Sequence, residues 1–483
     1  MSLSAALNIA QSALLSNAKQ TAIVSRNTAE ARNPDYARRT AAVTTTAAGT
    51  NVVIQRATND ALFRQNLSAL SSYAGQSTLL EGLERLNLSI NGADSDGSVA
   101  TMIGKLQTAL QTYSDAPGNS TLAEAAVEAA RNVVRSLNDG AVAIQGFRAD
   151  MDSELSGAVG EVNALLSEFH QANATIVAGT AAGRDVSDAL DQRDAILKKI
   201  SEYVPVSTFT RSNNDMVVTT FDGTILFETS PRSVSFSPTA AYGAGMTGNA
   251  LYVDGVPLQA GNGASSDAAG KLAGFLQLRD GVATTMQSQL DEIARGLIGA
   301  FSESADGQPA LAGLFTWSGG PAVPPDGALA DGLSASIGIN AAVDSSRGGN
   351  AQLLRDGGIN GAAYIVNTTQ SSAFSDRLLA YGDNMEAPMT FSSTAGVGGT
   401  HSLSSFSSGA VGWFQSLRQT ATTSADSKQA LAVRGAEALS NSTGVNVDSE
   451  MSLLLELEHS YQASARIIQA VDEMLSNLLA AVR

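Results

Sequence analysis

Residues 451–483 read MSLLLELEHSYQASARIIQAVDEMLSNLLAAVR. Within them Leu454, Leu457, Tyr461, Ser464, Ile468, Val471, Leu475, Leu478 and Val482 fall on alternating spacings of three and four, and only Ser464 is polar. That repeat, uninterrupted by Gly or Pro, predicts a coiled-coil helix with one apolar seam. Such a helix needs a partner. The N-terminus offers a matching stripe of smaller side chains, Leu3, Leu7, Ala10, Leu14, Asn17, Thr21, Val24 and Thr28. Small residues let helices approach closely but bury little area each, so at ~25 cal/mol per Å² this helix is marginal alone. The economical reading pairs the two ends and leaves apolar surface for neighbouring copies. The alternative is two separate amphipathic surface helices.

Moving inward from the N-terminus, a Thr- and Ala-rich extended stretch covers Arg39 to Ile54, and helical periodicity returns through Leu62, Asn66, Leu70, Tyr73, Leu80 and Leu83. Further helices are expected over Ser98 to Tyr113, Thr121 to Val177 and Ser187 to Tyr203, the last ending before Pro205. Thr121-x-x-Glu124, just after Pro117-Gly118, reads as a capping box. Between Pro205 and Asn262 the period becomes alternating, with hairpin signals at Asp222-Gly223 and Asp254-Gly255. Helix returns from Ala268 to Phe301 and from Val411 to Ser440. Ser302 to Gly399 is irregular and rich in Gly, Pro and Asn, and Ser392 to Gly409 reads as a loop. The fold class is therefore mainly α with an inserted β-rich region, an α+β multidomain chain whose two ends meet.

Composition removes several functions. Against 46 Asp and Glu stand 29 Lys and Arg, a net charge of −17 with no basic cluster, so nucleic acid and anionic membrane are poor partners. There is no Cys, hence no disulfide framework and no thiolate metal site. His170, His401 and His459 lie far apart, which leaves no metal or cofactor site to expect. The N-terminus lacks the basic and apolar regions of a cleavable signal peptide, and no stretch approaches a membrane-spanning length, so any exit from the cell is expected to use another route.

Gly243-Ala-Gly245-Met-Thr-Gly248 spells GxGxxG but sits in a β-rich segment, where a flexible loop is the better reading. No P-loop, zincin or nucleophile-elbow motif is present. The densest charges, Asp188, Asp191, Arg193, Asp194, Lys198 and Lys199, read as a structural cluster in which Asp194 and Lys198 form a helical surface ion pair. Glu456, Glu458 and His459 read as the solvated side of the C-terminal helix. No catalytic residue is assigned, and the chain is expected not to be an enzyme.

Several separated motifs point to one family. Asn27-x-Ala29 and Asn33-Pro34-Asp35-Tyr36-x-Arg38-Arg39 resemble the signature of flagellar rod, hook and junction proteins, with Asp35 where the usual pattern has Gly. Gly444-Val445-Asn446-Val447-Asp448-x-Glu450, Tyr461 to Arg466 and Asp472-Glu473-Met474-Leu475 are similar to the C-terminal signature of the flagellar hook-associated protein 1 family. Two internal stretches, Leu190 to Asp194 and Gly270 to Asp280, separate it from flagellins and hook protein, and Tyr113 to Asn138 is also family-like.

The resemblance implies a structural subunit of the hook-filament junction, exported through the flagellar type III apparatus and located outside the cell. Its implied partners are copies of itself, hook protein, the second junction protein and a cytoplasmic export chaperone that holds the C-terminal helix. It also implies an inner channel-lining domain of residues 1–44 and 445–483, and a helical rod domain of 45–204, 264–305 and 400–444. Residues 205–263 would form a β-rich outer domain, and 306–399 a variable region packed on the outer or rod parts. Assembly would then rest on Leu3, Leu7, Ala10, Leu14 and Val24 in the N-terminal seam. The motif residues Asn27, Asn33, Pro34, Tyr36 and Arg38 would support it, and the C-terminal seam would serve both assembly and chaperone binding. Another flagellar axial protein, such as the second junction protein or a flagellin-like subunit, is the alternative.

Overall fold

A computed structural model describes residues 3–46, 49–90, 92, 95–258 and 269–481. In chain order the first elements are helix α1 (Leu3–Glu30), the antiparallel hairpin β1 (Arg39–Thr46) and β2 (Gly49–Arg56), and helices α2 (Asp60–Ser89), α3 (Val99–Asp115), α4 (Ser120–Ala181) and α5 (Ser187–Tyr203). An antiparallel sheet follows, β3 (Val206–Thr210), β4 (Met216–Thr220) and β5 (Ile225–Phe227), in the order 3-4-5. Helices α6 (Lys271–Gln277) and α7 (Ala283–Ala300) are joined by one π-type turn at Leu278–Val282. After them come α8 (Leu333–Ser336), α9 (Leu353–Asp356), α10 (Asp376–Glu386), α11 (Leu403–Thr443) and α12 (Val447–Ala481). The chain is thus mainly helical with small antiparallel sheets, the expected fold class.

Local chemistry explains the boundaries, and it revises two of them. The main-chain carbonyl of Asn119 accepts from Ala123 N and its side chain accepts from Thr121 N at 2.9 Å, so Asn119 caps α4 and Thr121 lies inside the helix. The expected capping box is therefore absent. Glu124 instead accepts from Ser345 Oγ at 2.8 Å. Likewise α11 starts at Leu403 rather than after Gly409, because Ser402 Oγ accepts from Ser405 N and the wholly buried Leu403 and Phe406 anchor the first turn. Gly399–His401 pairs with Met389–Phe391 as a short strand inside the expected loop. Both Asp-Gly hairpins form, Gly223 at φ 90° and Asp254 and Gly255 at 50° and 79°. The expected start of the later helix at Ala268 lies outside the described residues.

Two compact units emerge from the contacts. One holds residues 1–73, 161–234 and 427–483. In it Phe169 of α4 meets Phe227 of β5 edge to face at 4.9 Å, both rings fully buried. Buried Arg193 of α5 donates to Asn173 Oδ1 at 2.9 Å and to the Asn214 carbonyl at 2.6 Å. It thereby holds the turn between β3 and β4, where Asn213 and Asn214 take positive φ. The arginine of the Leu190 to Asp194 motif is in this way a clamp on the sheet.

The other unit holds residues 74–160 and 235–426. Its main core joins Leu106, Tyr113, Leu137, Leu297, Phe301, Phe315 and Phe406, and a second cluster joins Leu83, Leu86, Phe147, Leu278 and Phe414. Gly274 has no Cβ to meet the Gly75 carbonyl, which would stand 3.1 Å away, and so α6 lies close against α2. The stretch around Gly243 to Gly248 is a pinned loop: fully buried Arg148 donates to the Met246 carbonyl at 2.6 Å and lies 4.2 Å from the Tyr242 ring centroid. Arg279, bonded to Asp152 and Asp280, fills the space a side chain at Gly248 would need. Residues 302–399, irregular in sequence, are ordered around buried carboxylates. Glu303 accepts from Ile359 N, Asn360 N and Arg377, while Asp291 accepts from Gly332 N and Ser334 N.

Candidate functional site

Helices α1 and α12 pack antiparallel. Asn17 Nδ2 donates to Ser460 Oγ at 3.0 Å, and ten residues further along α1, Asn27 Nδ2 donates to Glu450 Oε2 at 3.0 Å, ten residues back along α12. On α12 the buried residues recur every seven, at Glu450, Leu457, Ser464 and Val471, and on α1 Ala10, Asn17 and Val24 share that spacing, with Ser16 and Asn27 buried beside them. A strict heptad row of this kind is one of the two rows of a coiled-coil seam.

The seam residues expected from sequence divide accordingly. Ala10, Val24, Leu457 and Val471 are buried, and Leu7, Leu14, Leu454 and Ile468 are half-buried. Tyr461 and Leu475 point outward, 52% and 37% exposed. Leu455, Ile467, Met474 and Leu479 are exposed beside them on α12, as are Ile9 and Leu15 on α1. The helix pair therefore covers one row and leaves a second apolar surface open. The side chains of Leu3 and Leu478, and the whole of Val482, lie outside the described residues. Glu456, Glu458 and His459 are exposed, on the solvated side expected for them.

At the inner end of the pair the motif residues close a polar lock. Asn27, 1% exposed, uses both ends of its amide: Nδ2 also donates to the Arg39 carbonyl at 2.8 Å, while Oδ1 accepts from Tyr36 OH at 2.7 Å and Arg39 N at 3.1 Å. Arg38 Nε donates to Glu450 Oε1 at 2.6 Å, and its N–H donates to the Thr443 carbonyl at 2.7 Å. Asn33 makes a tight turn, its side chain accepting from Asp35 N and donating to Glu30, and Pro34 stays exposed. Thus Asn27, Tyr36 and Arg38 come together with Glu450, whereas Asn33 and Pro34 shape the chain that carries them there.

Charges from α5 complete the cluster. Arg39 bonds Asp188 at 2.6 Å and Asp191 at 2.9 Å, and Arg56 bonds Asp191 at 2.7 Å and Asp194 at 2.6 Å. Arg26 also reaches Asp188. The expected Asp194 to Lys198 surface pair does not form, because Asp194 is taken by Arg56 and Lys198 bonds Asp35 at 2.8 Å. Sequence reasoning missed Glu450, Arg56 and the three aspartates as members of one site. Their spacing of three, which sets them on one helix face, was the available signal. Burial would raise the Asp188 carboxyl, but hydrogen bonds and charge from Arg39, with the charge of Arg26, hold it below the ordinary 3.8. Burial would lower the Arg39 guanidinium, and its two aspartates raise it instead. Among the described residues no group of three or more His, Asp or Glu is arranged to hold a metal ion, and no helix is long and apolar enough to cross a membrane.

Comparison with known proteins supplies the context. Residues 438–481, which include all of α12, match the family described as flagellar basal body rod FlgEFG protein C-terminal. Residues 83–311, which contain both internal motifs, match the one described as flagellar hook-associated protein FlgK helical domain. The chain is 20% identical over 430 residues to flagellar hook-associated protein 1 of Bacillus subtilis (strain 168), across 83% of this chain and 80% of that one. It is also similar to the solved flagellar hook junction protein FlgK from Burkholderia pseudomallei, at 20% identity and a TM-score of 0.43. That match covers 53% of this chain and 47% of the other, so the chain spans less than half the length of that solved protein. Both matched families are flagellar. Over most of its length the chain is similar to flagellar hook-associated protein 1.

Proposed function

We propose that the chain is a structural, non-enzymatic subunit of the bacterial flagellum that forms the junction between hook and filament and is required for filament growth. The observation that carries the assembly mechanism is the two-sided C-terminal helix. Its Leu457, Ser464 and Val471 row is used within the chain, while Tyr461, Leu475 and their exposed neighbours are left over. Large exposed apolar surfaces are costly to leave in water, and neighbouring copies of the same chain would cover this one. The paired termini would form the inner, channel-lining layer, the helical stretches 45–204, 264–305 and 400–444 the rod, and 205–263 the outer part, with 306–399 packed on them.

The same open surface suits a cytoplasmic chaperone before export, and the type III flagellar apparatus would carry the chain outward to meet hook protein and the second junction protein. Deleting the gene tests the reading. Electron microscopy should then show hooks without filaments, with filament protein lost to the medium. Normal filaments on the deletion strain would overturn it. Hydrolase screens of the purified protein should be blank.

A further inference from the structure

The apolar row between α1 and α12 cannot choose its own alignment. Its members recur every seven residues, so unwinding two turns at the start of α12 would bring Leu457 to the place of Glu450, Ser464 to that of Leu457, and Ile467 opposite Asn17. Such a slip keeps small and apolar groups facing one another along most of the seam. What it cannot reproduce is the inner end. Glu450 occupies the same heptad row as Leu457 and Val471, wholly buried, and accepts from Asn27 and from Arg38. With Leu457 in its place the Asn27 amide and the Arg38 guanidinium would face a hydrocarbon, and a buried carboxylate would be stripped of both partners.

We propose that Glu450 is the register-determining residue of the terminal helix pair. Its reader is the segment 27–39, which Asn27 holds shut through Tyr36 OH and the Arg39 main chain. Arg39 in turn is fixed by Asp188 and Asp191 of α5, so the register of α12 is referred to a rigid part of the unit rather than to α1 alone. A single buried polar group in an otherwise apolar row is a recognised means of selecting one alignment at some cost in stability. Asn17 with Ser460 is the weaker second contact of this kind. The inference concerns pairing within one chain, and its test on purified protein can fail while the junction role stands.

Because the chain has no cysteine, alignment can be read by cross-linking without background. Asn17→Cys is combined with Ser460→Cys to report the observed register, or with Ile467→Cys to report the slipped one. Replacing Asn17 and Ser460 also removes the second polar contact, so any remaining preference belongs to Glu450. In Glu450→Leu the ratio of slipped to observed cross-link should rise by about tenfold or more. In Leu457→Ala, which weakens the same row without touching the lock, the ratio should stay at the parent's value. Should the leucine variant fail to fold, Glu450→Ala, which removes both acceptor oxygens with a smaller side chain, is read the same way. An unchanged ratio in the Glu450 variant, or an equal rise in Leu457→Ala, would overturn the proposal.

Discussion

Asn27 shows how one side chain can carry a local structure. Its amide satisfies two main-chain groups of Arg39 and ties Tyr36 and Glu450 to the same point, all out of reach of water. Removing one bond from such a network leaves a buried acceptor short of a donor. Tyr36→Phe should therefore cost about 1 kcal/mol in urea unfolding, with helix content unchanged. The depressed Asp188 carboxyl gives a second residue-level expectation. A group with a lowered native pKa contributes stability above its unfolded value, here near 3.8, and loses it as pH falls through the native value. The urea midpoint should be flat from about pH 5 to 7 and drop below about pH 4. Asp188→Asn should lower the plateau slightly and flatten the drop. A variant with the parent's acid slope would show that other carboxylates govern it.

At the scale of the element, the sequence repeat and the folded helix pair answer different questions. Spacings of three and four made α12 legible as a two-row seam, and both rows look alike in sequence. Only the structure separates them, because α1 is narrow and rich in small side chains and can cover one row alone. The consequence is a paired expectation. Leu457→Asp buries a charge without a partner and should unfold the terminal pair in the monomer, a loss of several kcal/mol visible in circular dichroism. Leu475→Asp, at an exposed position, should change monomer stability by less than about 0.5 kcal/mol and yet abolish junction assembly in cells. Motile cells carrying Leu475→Asp would refute the assembly role of the outer row. The capping box misread at Thr121 belongs to the same scale: Asn119 two residues earlier is an equally good cap, and local spelling alone cannot rank them.

Across the whole chain, α12 stands out as mostly exposed along its length, with one buried residue per heptad from Glu450 to Val471. Toward the outer end of α12 exposed residues outnumber buried ones, whereas near Glu450 the chain is fastened to α5 and to the 31–39 turn. Local opening should follow that gradient. Amide exchange on the monomer should be slowest near 24–27 and 450–457 and rise toward Leu479, and assembly should suppress it along the whole helix. Uniform strong protection of α12 in the monomer would contradict the gradient.

The helical ends, the period change after Pro205, the two Asp-Gly hairpins and the resemblance to a flagellar family are legible in the sequence, because each rests on local spacing or on a motif. The sequence also placed Asn27, Tyr36 and Arg38 in one signature. Their closure on Glu450, more than four hundred residues away, and the service of Asp188, Asp191 and Asp194 to arginines of a distant hairpin rather than to Lys198 come from three-dimensional packing. The order of residues 302–399 was likewise beyond reach, since it comes from buried carboxylates such as Glu303 and Asp291 that gather scattered main-chain N–H groups. Hydrophobic periodicity is a property of neighbours along the chain. A buried charge finds its partners only in three dimensions, where the cost of leaving it unpaired selects the alignment.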